Sequence, residues 1–237
     1  MNIVFMGTPE FALPTLKALR HSSHSILSVI TQADKRQGRG QKLLVSPIKQ
    51  MALDLNIPIL QPEAVNAPEF IDSLSQNQPD AIIVVAFGQI LSEAFLKIPK
   101  QFCINLHSSL LPKYRGAAPI HRAILNGEKK SGVTTIIMDK GMDTGDILLM
   151  QETPIHQTDT AQNLHDTLSK MGGALVLETL KRLEERDYEA EIAEQESAEA
   201  QVLESLGVCK QSLETVKQSH ERYKQCVDDF GRKIDSV

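Results

Sequence analysis

Three side chains in two short stretches have the types and spacing to act on a carbonyl carbon. The first stretch is "CINLHSSLLPKYRGAAPI", residues 103–120, where Asn105 and His107 stand two apart at the end of an apolar run. Alternate side chains of a strand share a face, so an amide donor and an imidazole project to the same side. The second stretch, "MDKGMDTGDI" (138–147), follows another apolar run and holds three acids and two glycines. Gly141 and Gly145 let the backbone bend sharply, which suits Asp143 to reach a neighbouring strand end. A carboxylate beside an imidazole orients the ring and favours its charged form. An Asn, a His and an Asp that converge suit acyl transfer without a covalent enzyme intermediate, and no Ser or Cys stands in a nucleophile motif. Asn105 would donate to the oxygen that gains charge. His107 would polarise that oxygen or move a proton, and Asp143 would collect the proton released by an attacking amine. The plainer alternatives are a satisfied core histidine at a polar strand end and a surface turn whose aspartate caps backbone.

These residues need a scaffold, and the hydrophobic pattern supplies one. Runs at 2–5, 25–31, 57–60, 81–87, 103–106, 133–138 and 146–150 read as strands, several of them continuously apolar as in strands covered on both faces. Amphipathic stretches separate the early runs: "PEFALPTLKALRH", "SPIKQMALDLN" and "PEFIDSLSQNQ". Alternation of this kind predicts an α/β fold, a Rossmann-like, doubly wound, mostly parallel sheet. In such sheets ligands bind outside the carboxyl ends of the strands, where Asn105 and His107 fall. "GTPEF" after the first strand makes a glycine turn into a helix but lacks the three-glycine dinucleotide fingerprint. A long helix is expected over about 160–186, with Asp159 or Thr160 as its N-cap.

Composition bounds the class. A chain of 237 residues, 41% hydrophobic with a net charge of -5, suits one full domain and an appendage. The three cysteines, at 103, 209 and 226, show no ligand or framework spacing. The seven histidines are scattered, so no metal site is expected. The N-terminus lacks a signal-peptide pattern and no run reaches the ~20 apolar residues of a membrane span. A cytoplasmic protein is expected.

The pattern changes late in the chain. A catalytic domain is expected over 1–188, then an acidic linker over 189–201. From 202 to 237 comes a helical tail with a heptad-like seam: Val202, Leu206, Cys209, Leu213, Val216, His220, Tyr223, Val227, Phe230 and Ile234. Self-association through this helix, docking on the main domain, and a fragment without cellular activity are the three roles left open for it.

"INLHSSLLPKYRGAAPI" and "GVTTIIMDKGMDTGDI", following an N-terminal "IVFMGTPEFA", together resemble the methionyl-tRNA formyltransferase family over residues 1 to about 195. The resemblance implies the formyltransferase fold. It also implies transfer of the formyl group of 10-formyltetrahydrofolate to the amino group of methionine on initiator methionyl-tRNA. It puts the family's catalytic Asn, His and Asp on Asn105, His107 and Asp143. The folate-contacting loop falls on Ser109, Leu110, Leu111 and Pro112, and the pterin-lining region on Phe87, Gly88, Ile90 and Leu91. Members of the family continue into a C-terminal β-barrel that holds the tRNA, and the stretch after 195 has neither the length nor the alternation of one. A weakened grip on tRNA is the expected consequence.

The triad does not choose the acceptor, since relatives formylate other amines. "ADKRQGRGQKLLVSPIK" (33–49) carries five cations against one acid and brackets Arg39 with glycines. Such a loop can follow a phosphate backbone. The resemblance assigns tRNA contact to Arg39, with Arg36 and Lys42 beside it. Two other readings are kept: formyl transfer to a small amine such as an amino sugar, and a catalytically weak protein acting through its tail.

Overall fold

Each apolar run of the first half becomes a strand. The computed structural model describes residues 1–37, 42–185, 201, 202, 204–207, 210–214, 216–218 and 221. In chain order, β1 (Asn2–Gly7) leads through a 3-10 turn at Glu10–Ala12 into α1 (Leu13–Arg20), followed by β2 (Ser25–Ile30). A hairpin of β3 (Lys35–Gln37) and β4 (Lys42–Leu44) precedes α2 (Pro47–Asp54), β5 (Ile59–Leu60) and α3 (Pro68–Ser75). Then come β6 (Ala81–Val85), α4 (Glu93–Leu96), β7 (Phe102–His107) and α5 (Pro119–Leu125). The series closes with β8 (Lys130–Ile137), β9 (Ile147–Pro154) and α6 (Ala161–Glu184).

Seven strands form one sheet in the order β5-β2-β1-β6-β7-β8-β9. The first five are mutually parallel, and β8 and β9 add antiparallel pairs at one edge. The chain winds outward from β1 to β2 and β5, then crosses to β6 and β7. The switch point therefore lies at the carboxyl ends of β1 and β6, where this topology opens a crevice.

Helix starts follow local chemistry. Ser46 accepts from the Lys49 amide at 3.1 Å and Ser92 from the Phe95 amide at 3.2 Å. Prolines open α2, α3 and α5, where a missing N–H costs nothing. Thr160, rather than Asp159, caps α6: its Oγ1 accepts from the Asn163 amide at 3.2 Å. Asp159 instead accepts from the His156 amide one turn earlier.

Along β1 and β6 every residue from Ile3 to Met6 and from Ala81 to Val85 is buried. On one side Val4, Met6, Ile82, Val84, Phe87, Phe95 and Cys103 form a single apolar cluster. The alternate residue Leu106 meets α6, where a Cβ on Gly172 would stand 2.4 Å from Leu106 Cδ2. Glycine inside a helix costs about 1 kcal/mol, and here it admits the close approach that brings α6 against β7.

The chain divides into two units, Met1–Lys181 and Arg182–Val237. The boundary falls within the long helix, ahead of the expected 189–201 linker, of which only Gln201 is among the described residues. In the second unit residues 201, 202, 204–207, 210–214, 216–218 and 221 are helical. Val202, Leu206, Leu213 and Val216 of the expected seam are exposed. The other seam positions, Cys209, His220, Tyr223, Val227, Phe230 and Ile234, lie outside the described residues.

Candidate active site

The odd-numbered side chains of β7 form a row that leaves the core. Cys103 belongs to the apolar cluster, its Sγ 3.7 Å from Met138 Sδ. Asn105 and His107 continue the row and are 9% and 7% exposed. Burial pushes the Cys103 thiol up to about 12, so it stays protonated and unreactive at neutral pH.

The loop between β8 and β9 brings the third group. Asp139 gathers this loop, accepting from the Gly141 amide at 2.9 Å and from Thr144 Oγ1 at 2.8 Å. Gly145 permits the bend, because a Cβ there would collide with the Ile137 carbonyl oxygen. Asp143 takes a left-handed φ of 53°, a conformation that Asp tolerates better than most residues. Its carboxylate turns inward and its side chain is 17% exposed.

The three groups converge. Asn105 Nδ2 donates to Asp143 Oδ1 at 3.2 Å, and the Gly116 amide donates to Oδ2 at 2.8 Å. His107 Nδ1 lies 3.4 Å from the same Oδ2. The other ring nitrogen, Nε2, lies 3.0 Å from the Tyr114 carbonyl oxygen. A carbonyl only accepts, so Nε2 carries a proton. The Nδ1 contact is then attractive when one proton lies between ring and carboxylate. Asn105 keeps its second amide hydrogen for another acceptor.

A cleft of about 530 Å³ opens over these groups. Phe11, Phe87, Ile90, Met138 and Met142 give it apolar walls, and Ser108 and residues 116–119 close one side. Of the expected pterin-lining residues, Phe87, Gly88 and Ile90 line it. Leu91 is buried in the apolar cluster and lines a smaller neighbouring hollow with Met142 and Asp143. The Phe87 carbonyl accepts from Gln32 Nε2 at 2.7 Å, and Gly88 has φ 81°, so this wall is fixed through its backbone.

Ser109, Leu110, Leu111 and Pro112 stand elsewhere. The cleft reaches Ser108 and stops. Ser109 is buried, with its hydroxyl donating to the Lys113 carbonyl at 2.6 Å and its own carbonyl accepting from Thr134 Oγ1 at 2.7 Å. Leu110, Leu111 and Pro112 line a second hollow of about 630 Å³ with Lys113, Tyr114 and Glu128. Arg36 is placed on β3 and Lys42 on β4, beside Leu43 and Gln37 respectively in the hairpin pairing. Arg39 lies outside the described residues.

Several supports had no signal in the sequence. Thr134, fully buried on β8, also accepts from the Leu111 amide at 3.2 Å and so clamps the loop after β7. Gln32, Tyr114 and Gly116 act through partners 55, 7 and 27 residues away along the chain, which no local pattern marks. Lys113 pairs with Glu128 at 3.2 Å and ties the loop down. Among the described residues no cluster of His, Cys, Asp or Glu has metal-ligand grouping, and no helix is long and apolar enough to cross a membrane.

A model of the formyl transferase family matches residues 1–180. The methionyl-tRNA formyltransferase of Caldanaerobacter subterraneus is 54% identical over 186 residues, 78% of this chain and 60% of that protein. That of Clostridioides difficile is 50% identical over 196 residues, 83% of this chain and 63% of that protein. The chain thus spans about 60% of the length of the curated relatives it matches. The crystal structure of phosphoribosylglycinamide formyltransferase from Bacillus halodurans aligns with a TM-score of 0.65 at 21% identity, over 77% of this chain and 95% of that one. It shows the fold. WlaRD, a sugar 3N-formyl transferase solved with dTDP and 5-N-formyl-THF, aligns with a TM-score of 0.56 at 28% identity, over 77% of this chain and 62% of that one.

Proposed function

The chain belongs to the formyl transferase family, and from that membership we propose that it moves the formyl group of 10-formyltetrahydrofolate to the amino group of methionine on initiator methionyl-tRNA. The observation that carries the chemistry is the convergence of Asn105 and His107 on the Asp143 carboxylate at the floor of an open cleft. The acceptor rests on the named relatives and on the cations of residues 33–49.

The cleft suits a folate donor. Phe87, Ile90, Met138 and Met142 offer apolar surface for a flat ring system. When bound, 10-formyltetrahydrofolate supplies an activated one-carbon unit at the carbonyl oxidation level. Asn105 directs its free amide hydrogen at the oxygen that gains negative charge, a role whose loss typically costs about 10²–10³ in turnover. Asp143 accepts the proton that the attacking amine releases. His107 takes up that proton through Nδ1, 3.4 Å away, and its ring is kept from turning by the Tyr114 carbonyl. Of the two roles expected for the imidazole, proton movement is the one its contacts support. Ser109, Leu110, Leu111 and Pro112 serve the donor site indirectly, by shaping the loop whose other end carries Gly116.

Arg36, Arg39 and Lys42 are assigned to the tRNA backbone, where cations supply affinity and orientation. The exposed Val202, Leu206, Leu213 and Val216 support self-association of the tail.

Two substitutions test the chemistry. His107→Ala and Asp143→Asn are expected to lower turnover by about 10²–10⁴ while fluorescence titration shows donor affinity within a few-fold of the parent. Turnover within a few-fold of the parent in either variant would remove that residue from the mechanism.

A further inference from the structure

We propose that Tyr114 is a positioning residue: with its hydroxyl held by Glu128 and Asn126, it aims its own main-chain carbonyl at His107 and so fixes which imidazole nitrogen faces Asp143. The kinetic consequence rests on the formyl-transfer reading above; the geometry stands without it.

Tyr114 has φ 59°, a left-handed conformation that bulky side chains rarely adopt. Something outside its own backbone must hold it there. Its hydroxyl donates to Glu128 Oε1 at 2.8 Å and accepts from Asn126 Nδ2 at 2.9 Å. The Arg122 guanidinium lies 5.0 Å from its ring centroid. The preceding residue reaches the same carboxylate, with Lys113 Nζ 3.2 and 3.3 Å from its two oxygens. Bonds from Tyr114 and Lys113 hold the Glu128 carboxyl below its ordinary range, so it stays an acceptor at neutral pH. The segment just after α5 thus grips two consecutive residues of the active-site loop.

The payoff lies at the far end of the same residue. The Tyr114 carbonyl is 3.0 Å from His107 Nε2. With that nitrogen committed as a donor, only Nδ1 is left to face Asp143, as a proton acceptor aligned for catalysis requires. If the loop relaxed, the neutral ring would be free to place its hydrogen on either nitrogen. The orientation of the imidazole is therefore set from the outside of the loop, by groups that do not line the cleft.

The test uses the full chain with ¹⁵N-labelled histidine. Tyr114→Phe keeps the ring over Arg122 and removes only the hydroxyl. The parent is expected to show the neutral His107 ring protonated at Nε2. In Tyr114→Phe the two ring nitrogen shifts should move toward each other as tautomers mix, with kcat down about tenfold and donor KM unchanged. The pH profile of kcat should shift with it. Glu128→Gln, which keeps an acceptor for the hydroxyl, should restore the parent spectrum, whereas Glu128→Leu should copy Tyr114→Phe and stands in for it if that variant does not fold. An unchanged Nε2-protonated ring and pH profile in both Tyr114→Phe and Glu128→Leu would overturn the proposal. Ring shifts that move as expected in a chain without formyl transfer would uphold the positioning role and sink the functional reading instead.

Discussion

Asp143 shows how little freedom the site leaves at the scale of single residues. One carboxylate meets an amide hydrogen from Asn105, a backbone hydrogen from Gly116 and the Nδ1 edge of His107. An asparagine there would set its NH₂ against one of two donors, so charge and hydrogen-bond sense are both specified. Glu128 is bound by the same logic at the outer end of the loop, and its titration gives a prediction. Its folded value is depressed by the Tyr114 and Lys113 bonds. The stability it contributes is therefore fully present above the unfolded carboxylate value of 4.5, and is lost as pH falls through the lower folded value. Thermal melts between roughly pH 6 and pH 3 should show a shallower acid-side decline for Glu128→Gln than for the parent. Equal slopes would mean that the contact does not form in solution.

At the scale of elements, β7 and β8 together make the site, and Thr134 is the pin between them. Its hydroxyl serves the Ser109 carbonyl and the Leu111 amide, both hydrogen bonds buried. Thr134→Val keeps the shape and strands both groups. Each unpaired buried group costs about 1–3 kcal/mol, so the variant should lose about 2 kcal/mol or more and melt roughly 4–8 °C lower. An unchanged melting temperature would show that the loop repairs itself with water. The elements differ in how well the sequence announced them. β6 is apolar throughout, and β1 and β7 through most of their length, because the sheet buries them on both faces, and that pattern is local and readable. Asn105 and His107 were legible because they break it at a strand end, and Asp143 because two glycines bracket it. β9 runs on through Gln151, Glu152 and Thr153, where pairing with β8 rather than hydrophobicity keeps the strand going. The β3–β4 hairpin, α4 and α5 are too short to show a period. Gln32, Thr134 and Tyr114 are ordinary polar residues until the fold supplies their partners.

At the scale of the molecule, a net charge of -5 disfavours loose attraction to a polyanion, so the proposed binding of tRNA would have to come from locally clustered cations. Residues 33–49 hold such a cluster, at the hairpin between β2 and α2. The tail poses a separate question. Val202, Leu206, Leu213 and Val216, exposed at positions four, seven and three residues apart in the tail, suit pairing with a second copy. Sedimentation of the full chain is expected to show a dimer, and a chain ending at residue 185 a monomer. Equal monomeric masses would end that idea. One assay reaches what the site does: the full chain, 10-formyltetrahydrofolate and charged initiator tRNA, run beside a panel of small amines that includes amino sugars. Formylated methionyl-tRNA, with the small amines left untouched, is the predicted result. Turnover of a small amine with none on tRNA, or no transfer to any acceptor, would contradict it.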